Sequence, residues 1–171
     1  MSPEDLLLHA AWLISSPSTT TAEADHRRAV SAAYYGLFHA LTMSGADLFG
    51  PGGSSAFKGQ IARAYNHGPM RQVCLVFKAA SNKGFQPPYN AMMPLTVDAR
   101  LFGVAEAFVR LQEARHTADY DTSAVINPSD AVNDVRLAME AFHHWQAISA
   151  TPEARVFLTA LLLADRWTRR G

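Results

Sequence analysis

Apolar residues recur every three or four positions through most of this chain, and no β-branched run alternates with polar residues as a half-buried strand would. Leu6, Leu7, Ala10, Leu13 and Ile14 make the first such face, opened by Pro3-Glu4-Asp5 and closed by Ser15-Ser16-Pro17. After a Ser/Thr run at 18–21 that offers several N-caps, Val30, Ala33, Tyr34, Leu37 and Leu41 define a long second helix that runs towards Gly45. Gly50-Pro51-Gly52-Gly53 must be a turn. A third helix is expected from Ala56 to Asn66, broken at His67-Gly68-Pro69 and resumed from Met70 to Ser81; there His67-Gly68 reads as a helix stop. Residues 82–94, with Pro87, Pro88 and Pro94, form the longest irregular stretch. Thr96 then caps a helix that reaches about Tyr120, Pro128-Ser129-Asp130 opens another, and Pro152-Glu153 opens the last. The pattern predicts an all-α, up-and-down helical bundle of about five to six helices, forming a single domain over residues 1–171.

One position breaks the pattern. Leu101, Val104, Phe108 and Leu111 form an apolar stripe whose next position is Arg115, where another leucine would be expected. A cation on a core-facing stripe needs a partner, because a buried charge without one is costly. Asp119 lies one turn on and Asp121 six residues on, so a half-buried polar cluster at a helix end follows. On the second helix Arg28, Ala32, Tyr35 and His39 lie one above the other along the edge of the apolar stripe, and could face the same groove. A wet polar tip at a core edge accounts for Tyr35 and His39 equally well.

Composition narrows the field. With 171 residues, 49% of them hydrophobic, the chain can fill one core, and its 15 basic and 15 acidic residues cancel. No global field therefore draws in nucleic acid, and an RNA contact would have to come from a local patch. A lone cysteine, Cys74, and a start that lacks the basic and apolar regions of a signal peptide imply a cytoplasmic protein. The apolar run from Val156 to Ala164 is too short for a membrane span.

Three Glu-x-x-His pairs, Glu23/His26, Glu113/His116 and Glu140/His143, have the spacing used by di-iron bundles. Helical geometry turns Glu140 and His143 away from Ala138 and Phe142, towards solvent, and no four-carboxylate set accompanies the pairs; no metal or other cofactor is expected. Cys74, between Val73 and Leu75, reads as packing. Arg166, Arg169 and Arg170 read as complements to a helix C-terminus, or as a small phosphate-binding patch.

The segments Arg27-Arg28-Ala29-Val30-Ser31-Ala32-Ala33-Tyr34-Tyr35-Gly36-Leu37-Phe38-His39-Ala40-Leu41, His67-Gly68 and Arg115-His116-Thr117-Ala118-Asp119-Tyr120-Asp121 together resemble a bacterial HEPN-domain protein. The resemblance implies a helical bundle that dimerises and, in many members, a metal-independent RNase whose arginine and histidine, four to six residues apart, meet at the dimer cleft. Arg115 matches the family arginine. Tyr120 and Asp121 stand where the histidine would begin to be expected, and His116 adjoins the arginine instead. On this reading Arg115, His116 and His39 carry catalysis, and Arg28, Tyr35, His67, Asp119, Tyr120 and Asp121 bind substrate. A toxin role beside an antitoxin protein is implied as well. The competing reading is a noncatalytic helical homodimer that binds a partner protein or nucleotide, with Arg115 and Asp119 as a structural pair.

Overall fold

The computed structural model describes residues 2–167, with side chains as far as Ala164. Its elements are α1 (Pro3–Ser15), α2 (Ala22–Phe49), α3 (Ser55–Arg63), α4 (His67–Lys83), a 3-10 turn at Tyr89–Ala91, α5 (Ala99–Tyr120), α6 (Pro128–Ile148) and α7 (Pro152–Trp167). The protein is all-α, with no strand among the described residues. Seven α-helices among those residues exceed the five to six expected, because the third helix is two separate ones. Arg169 and Arg170 lie outside the described residues, as does the side chain of Arg166.

Three boundaries correct the sequence reading. Gly45 does not end α2, which continues to Phe49. His67-Gly68 does not stop a helix but begins α4, after the N-cap Asn66. The physical reason is Pro69, whose ring is tolerated in a first helical turn, so the break falls upstream of it. At α5 the cap is Asp98 rather than Thr96: its carboxylate accepts the Arg100 N–H at 2.9 Å just before the first helical residue.

Helices α2, α5 and α6 each supply residues to two compact units, Met1–His39 with Ala107–His143, and Ala40–Glu106 with His144–Gly171. In the first unit, α1 starts on a reciprocal cap in which Asp5 N–H donates to Ser2 Oγ at 3.1 Å and Ser2 N–H to Asp5 Oδ2 at 2.8 Å. Its face of Leu7, Ala10 and Leu13 is buried, as are Ala33, Tyr34 and Leu37 of α2, Phe108 and Leu111 of α5, and Val135 and Ala138 of α6. Helices α1 and α2 approach closely at Gly36, where a Cβ would come within 2.7 Å of Leu7 Cγ.

In the second unit, α4 packs on α7. Phe77 is the hub of that contact, with ring centroids 4.7 Å from Phe157, 4.9 Å from Phe85 and 5.5 Å from Tyr89. Cys74 is fully buried on the same helix, and burial pushes its thiol pKa up, which suits packing rather than nucleophilic attack. The buried polar tips are matched: Trp145 Nε1–H donates to Ser44 Oγ at 2.9 Å, and Tyr65 O–H to the Leu158 carbonyl at 3.2 Å.

Gly45 is the price of that tyrosine. A Cβ there would fall on the Tyr65 hydroxyl, so glycine inside α2 gives up helix propensity to let the ring in. Gly45→Ala is expected to destabilise the fold by about 1–3 kcal/mol, the usual cost of overpacking. Thermal melts of Gly45→Ala and Gly45→Ala/Tyr65→Phe check this; the double variant, without the hydroxyl, should recover part of the loss.

Candidate functional site

The stripe that led to Arg115 is as buried as its periodicity implied: Leu101, Val104, Phe108 and Leu111 are all fully enclosed. One turn further along α5, the Arg115 side chain keeps 16% of its exposure and that of Asp119 keeps 26%. The end of this helix is shaped by the loop that follows. Asp121 turns its carboxylate onto that loop, accepting from Ser123 Oγ at 2.6 Å, Ser123 N–H at 2.9 Å and Ala124 N–H at 3.1 Å. These hydrogen bonds, the Ser123 hydroxyl first, hold its pKa below the ordinary value.

From α2, Arg27 closes the same end. Its Nη1 donates to the carbonyls of Ala118 at 2.9 Å and Asp121 at 3.0 Å, and its Nη2 to the carbonyl of Ala124. Glu23, one turn earlier on α2, holds the guanidinium in place from 3.1 and 3.2 Å. The last carbonyls of a helix lack partners within it, and a cation is favourable there, so Arg27 acts as a C-cap supplied by another helix.

Arg115 lies among aromatic rings. Its Cζ is 5.9 Å from the Tyr34 centroid, 5.3 Å from Tyr35 and 5.2 Å from Tyr120. Nη2 donates to the hydroxyls of Tyr35 at 2.8 Å and Tyr120 at 3.3 Å. Nε approaches Asp119 Oδ2 at 2.7 Å, close enough for a charge contact but not aligned for an N–H hydrogen bond. Ser31 Oγ reaches the same carboxylate oxygen at 3.4 Å. Burial alone would lower the arginine pKa; Tyr35, Asp119 and Tyr120 outweigh it and hold the pKa above its ordinary value. The cation is permanent.

Each candidate histidine is one ring removed from this guanidinium. The His39 ring lies 6.2 Å from Tyr35 and the His116 ring 5.2 Å from Tyr120. His39 is half-buried, and burial lowers its pKa, so the neutral imidazole is favoured there. His116 is exposed.

The structure thus gathers Arg115, Asp119, Tyr35 and Tyr120, with His39 and His116 flanking them. Arg28 is exposed, and no hydrogen bond or ion pair ties it to this group. Asp121 is committed to its turn, and His67 belongs to the other compact unit. Glu140 and His143 are exposed, as their helical face implied, and among the described residues no three His, Cys, Asp or Glu side chains stand together as a ligand set. Sequence reasoning gave no part in the site to Arg27, Ser31 or Tyr34. The Glu23/Arg27 spacing was visible in the sequence; the carbonyls that Arg27 binds, more than 90 positions away, were not.

A separate cleft of about 390 Å³ opens on another face of α5, lined by Val30, Arg110, Thr117, Ile126 and Asp134 among others. There Arg110 Nε donates to Asp134 Oδ1 at 3.2 Å; burial raises the Asp134 pKa despite this partner.

No protein-family model, curated protein or solved structure matches this chain.

Two outcomes follow from this geometry. Arg27→Ala should cost about 1–3 kcal/mol, since it strips charged donors from helix-end carbonyls, and Arg27→Lys should recover only part, lacking the planar fork; chemical denaturation of both variants measures it. His39 has a depressed pKa when folded, so the unfolded chain binds the proton more tightly and stability falls as pH drops below the ordinary value of 6.5. Denaturation between pH 5 and pH 7 should therefore show a slope that His39→Gln flattens.

Proposed function

We propose that this chain is a HEPN-like up-and-down helical bundle, a single domain over residues 1–171, that acts in the cytoplasm as a homodimer and cleaves RNA without a metal ion. The observation that carries this reading is a permanently charged guanidinium held between two phenol hydroxyls, with an imidazole beyond each phenol. Arg115 stabilises the charge that builds on phosphorus when a 2′-hydroxyl attacks, and Tyr120, 63% exposed, borders the substrate. His39, whose burial favours the neutral form, takes the hydroxyl proton; His116, reachable from solvent, returns one to the leaving 5′-oxygen. Such an activity would suit a toxin-type component restrained by an antitoxin protein.

A second reading is favoured by one specific contact. Asp119 stands 2.7 Å from Arg115 Nε and offsets its charge within a single helix, which suits a noncatalytic dimer that binds a partner protein or nucleotide.

Incubation of the purified protein with mixed cellular RNA in EDTA separates the two. The nuclease reading expects cleavage that survives chelation, falls at least about a hundredfold in Arg115→Ala, the scale of losing a charge-stabilising donor, and falls in His39→Gln, with melting temperatures near wild type. Intact RNA, together with an Arg115→Ala variant that melts early or no longer dimerises by light scattering, supports the noncatalytic reading instead.

A further inference from the structure

The Arg115 guanidinium has five N–H donors, and their use within the protein is uneven. Nη2 serves the two tyrosine hydroxyls, at 2.8 and 3.3 Å, and Nε faces Asp119 at 2.7 Å. Nη1 makes no hydrogen bond within the described residues, and it is not among the side-chain nitrogens sealed from solvent without a partner. Beside it, the Tyr120 oxygen accepts from Nη2, so its own hydrogen must point elsewhere, and no acceptor for it occurs among the described residues. One guanidinium nitrogen and one phenol hydrogen therefore remain to meet an incoming oxyanion. The stronger bidentate engagement through Nε and a neighbouring nitrogen is blocked by a carboxylate of the protein itself.

We propose that Asp119 sets the anion affinity of this site: it occupies the Nε side of Arg115, restricts a bound phosphodiester to Nη1 and the Tyr120 hydroxyl, and so keeps binding weak and readily reversible. This rests on the reading of Arg115 as a phosphate-binding group. Asp119 is a positioning and specificity-determining residue, since it touches the guanidinium rather than the substrate. Its carboxylate competes with the phosphate for the same cation, and Ser31 Oγ, 3.4 Å from Oδ2, helps to keep it there. Nε is sealed from solvent behind that carboxylate, so removing the negative charge while keeping the shape leaves the contact at Nη1 and ends the competition for the cation.

The test uses the intact chain and a labelled 2′-O-methyl oligoribonucleotide of mixed sequence, which cannot be cleaved through its 2′-position. Binding is followed by fluorescence anisotropy at low salt in EDTA, with melting curves to confirm folding. Asp119→Asn is expected to bind about fivefold more tightly than wild type, the scale of one partly exposed ion pair. Arg115→Ala, and Asp119→Asn combined with Arg115→Ala, should both bind weakly and alike, because Asp119 acts only through Arg115. Should Asp119→Asn fail to fold, Asp119→Ser carries the same comparison. Unchanged or weaker binding by a folded Asp119 variant, with binding still lost in Arg115→Ala, overturns the role of Asp119 but leaves Arg115 as the phosphate contact. Equal binding by wild type and Arg115→Ala removes both.

Discussion

The end of α5 is held by a cation from another helix. Arg27 takes up carbonyls at Ala118, Asp121 and Ala124 that the helix and its following turn cannot satisfy for themselves. Asp121 fixes the turn from the other side. Between them they decide where α5 stops and how its last two turns lie against α2. Arg115, Asp119 and Tyr120 are all in those turns, so the geometry of the polar cluster is inherited from a cap that touches none of them.

Within the cluster, the opposing effects are unequal. Withdrawing a guanidinium from water costs free energy, and a carboxylate at 2.7 Å, two phenol oxygens and three ring faces offset it. The aromatic rings matter because they exclude water without supplying another negative charge. A cage of carboxylates would have neutralised the cation outright; phenols leave most of its field intact. This is why the same group of side chains supports both a chemical and a purely structural reading, and why the one carboxylate present, Asp119, has such weight in choosing between them.

Much of the fold was legible because helical periodicity is a local property. Four helix starts are punctuated by residues whose chemistry is plain in sequence: Pro3, Pro128 and Pro152, and Asp98 two residues beyond the expected cap. Gly45 misled because its role lies in Tyr65, twenty residues away, rather than in the backbone of α2. His67-Gly68 misled because a His-Gly pair suits either end of a helix, and only Pro69 distinguishes them. In the site, Arg115 was readable as an exception to a stripe and Asp119 as its i,i+4 partner. Tyr35 was placed on the correct face of α2, but its hydrogen bond spans 80 positions and has no local signature. Arg27 escaped for the same reason, since main-chain acceptors carry no residue identity.

Two of the contacts that restrain Arg115 differ in how they respond to motion. Asp119 is one turn away on the same rigid helix, so their separation is indifferent to any sliding of α5 against its neighbours. Tyr35 is on α2, so its 2.8 Å bond stretches as soon as one helix shifts along the other. A displacement of an ångström or two would leave the carboxylate in command of the cation and take away a phenol. The bonding of the guanidinium thus depends on helix register, with one partner fixed in its own frame and another carried on a neighbouring helix.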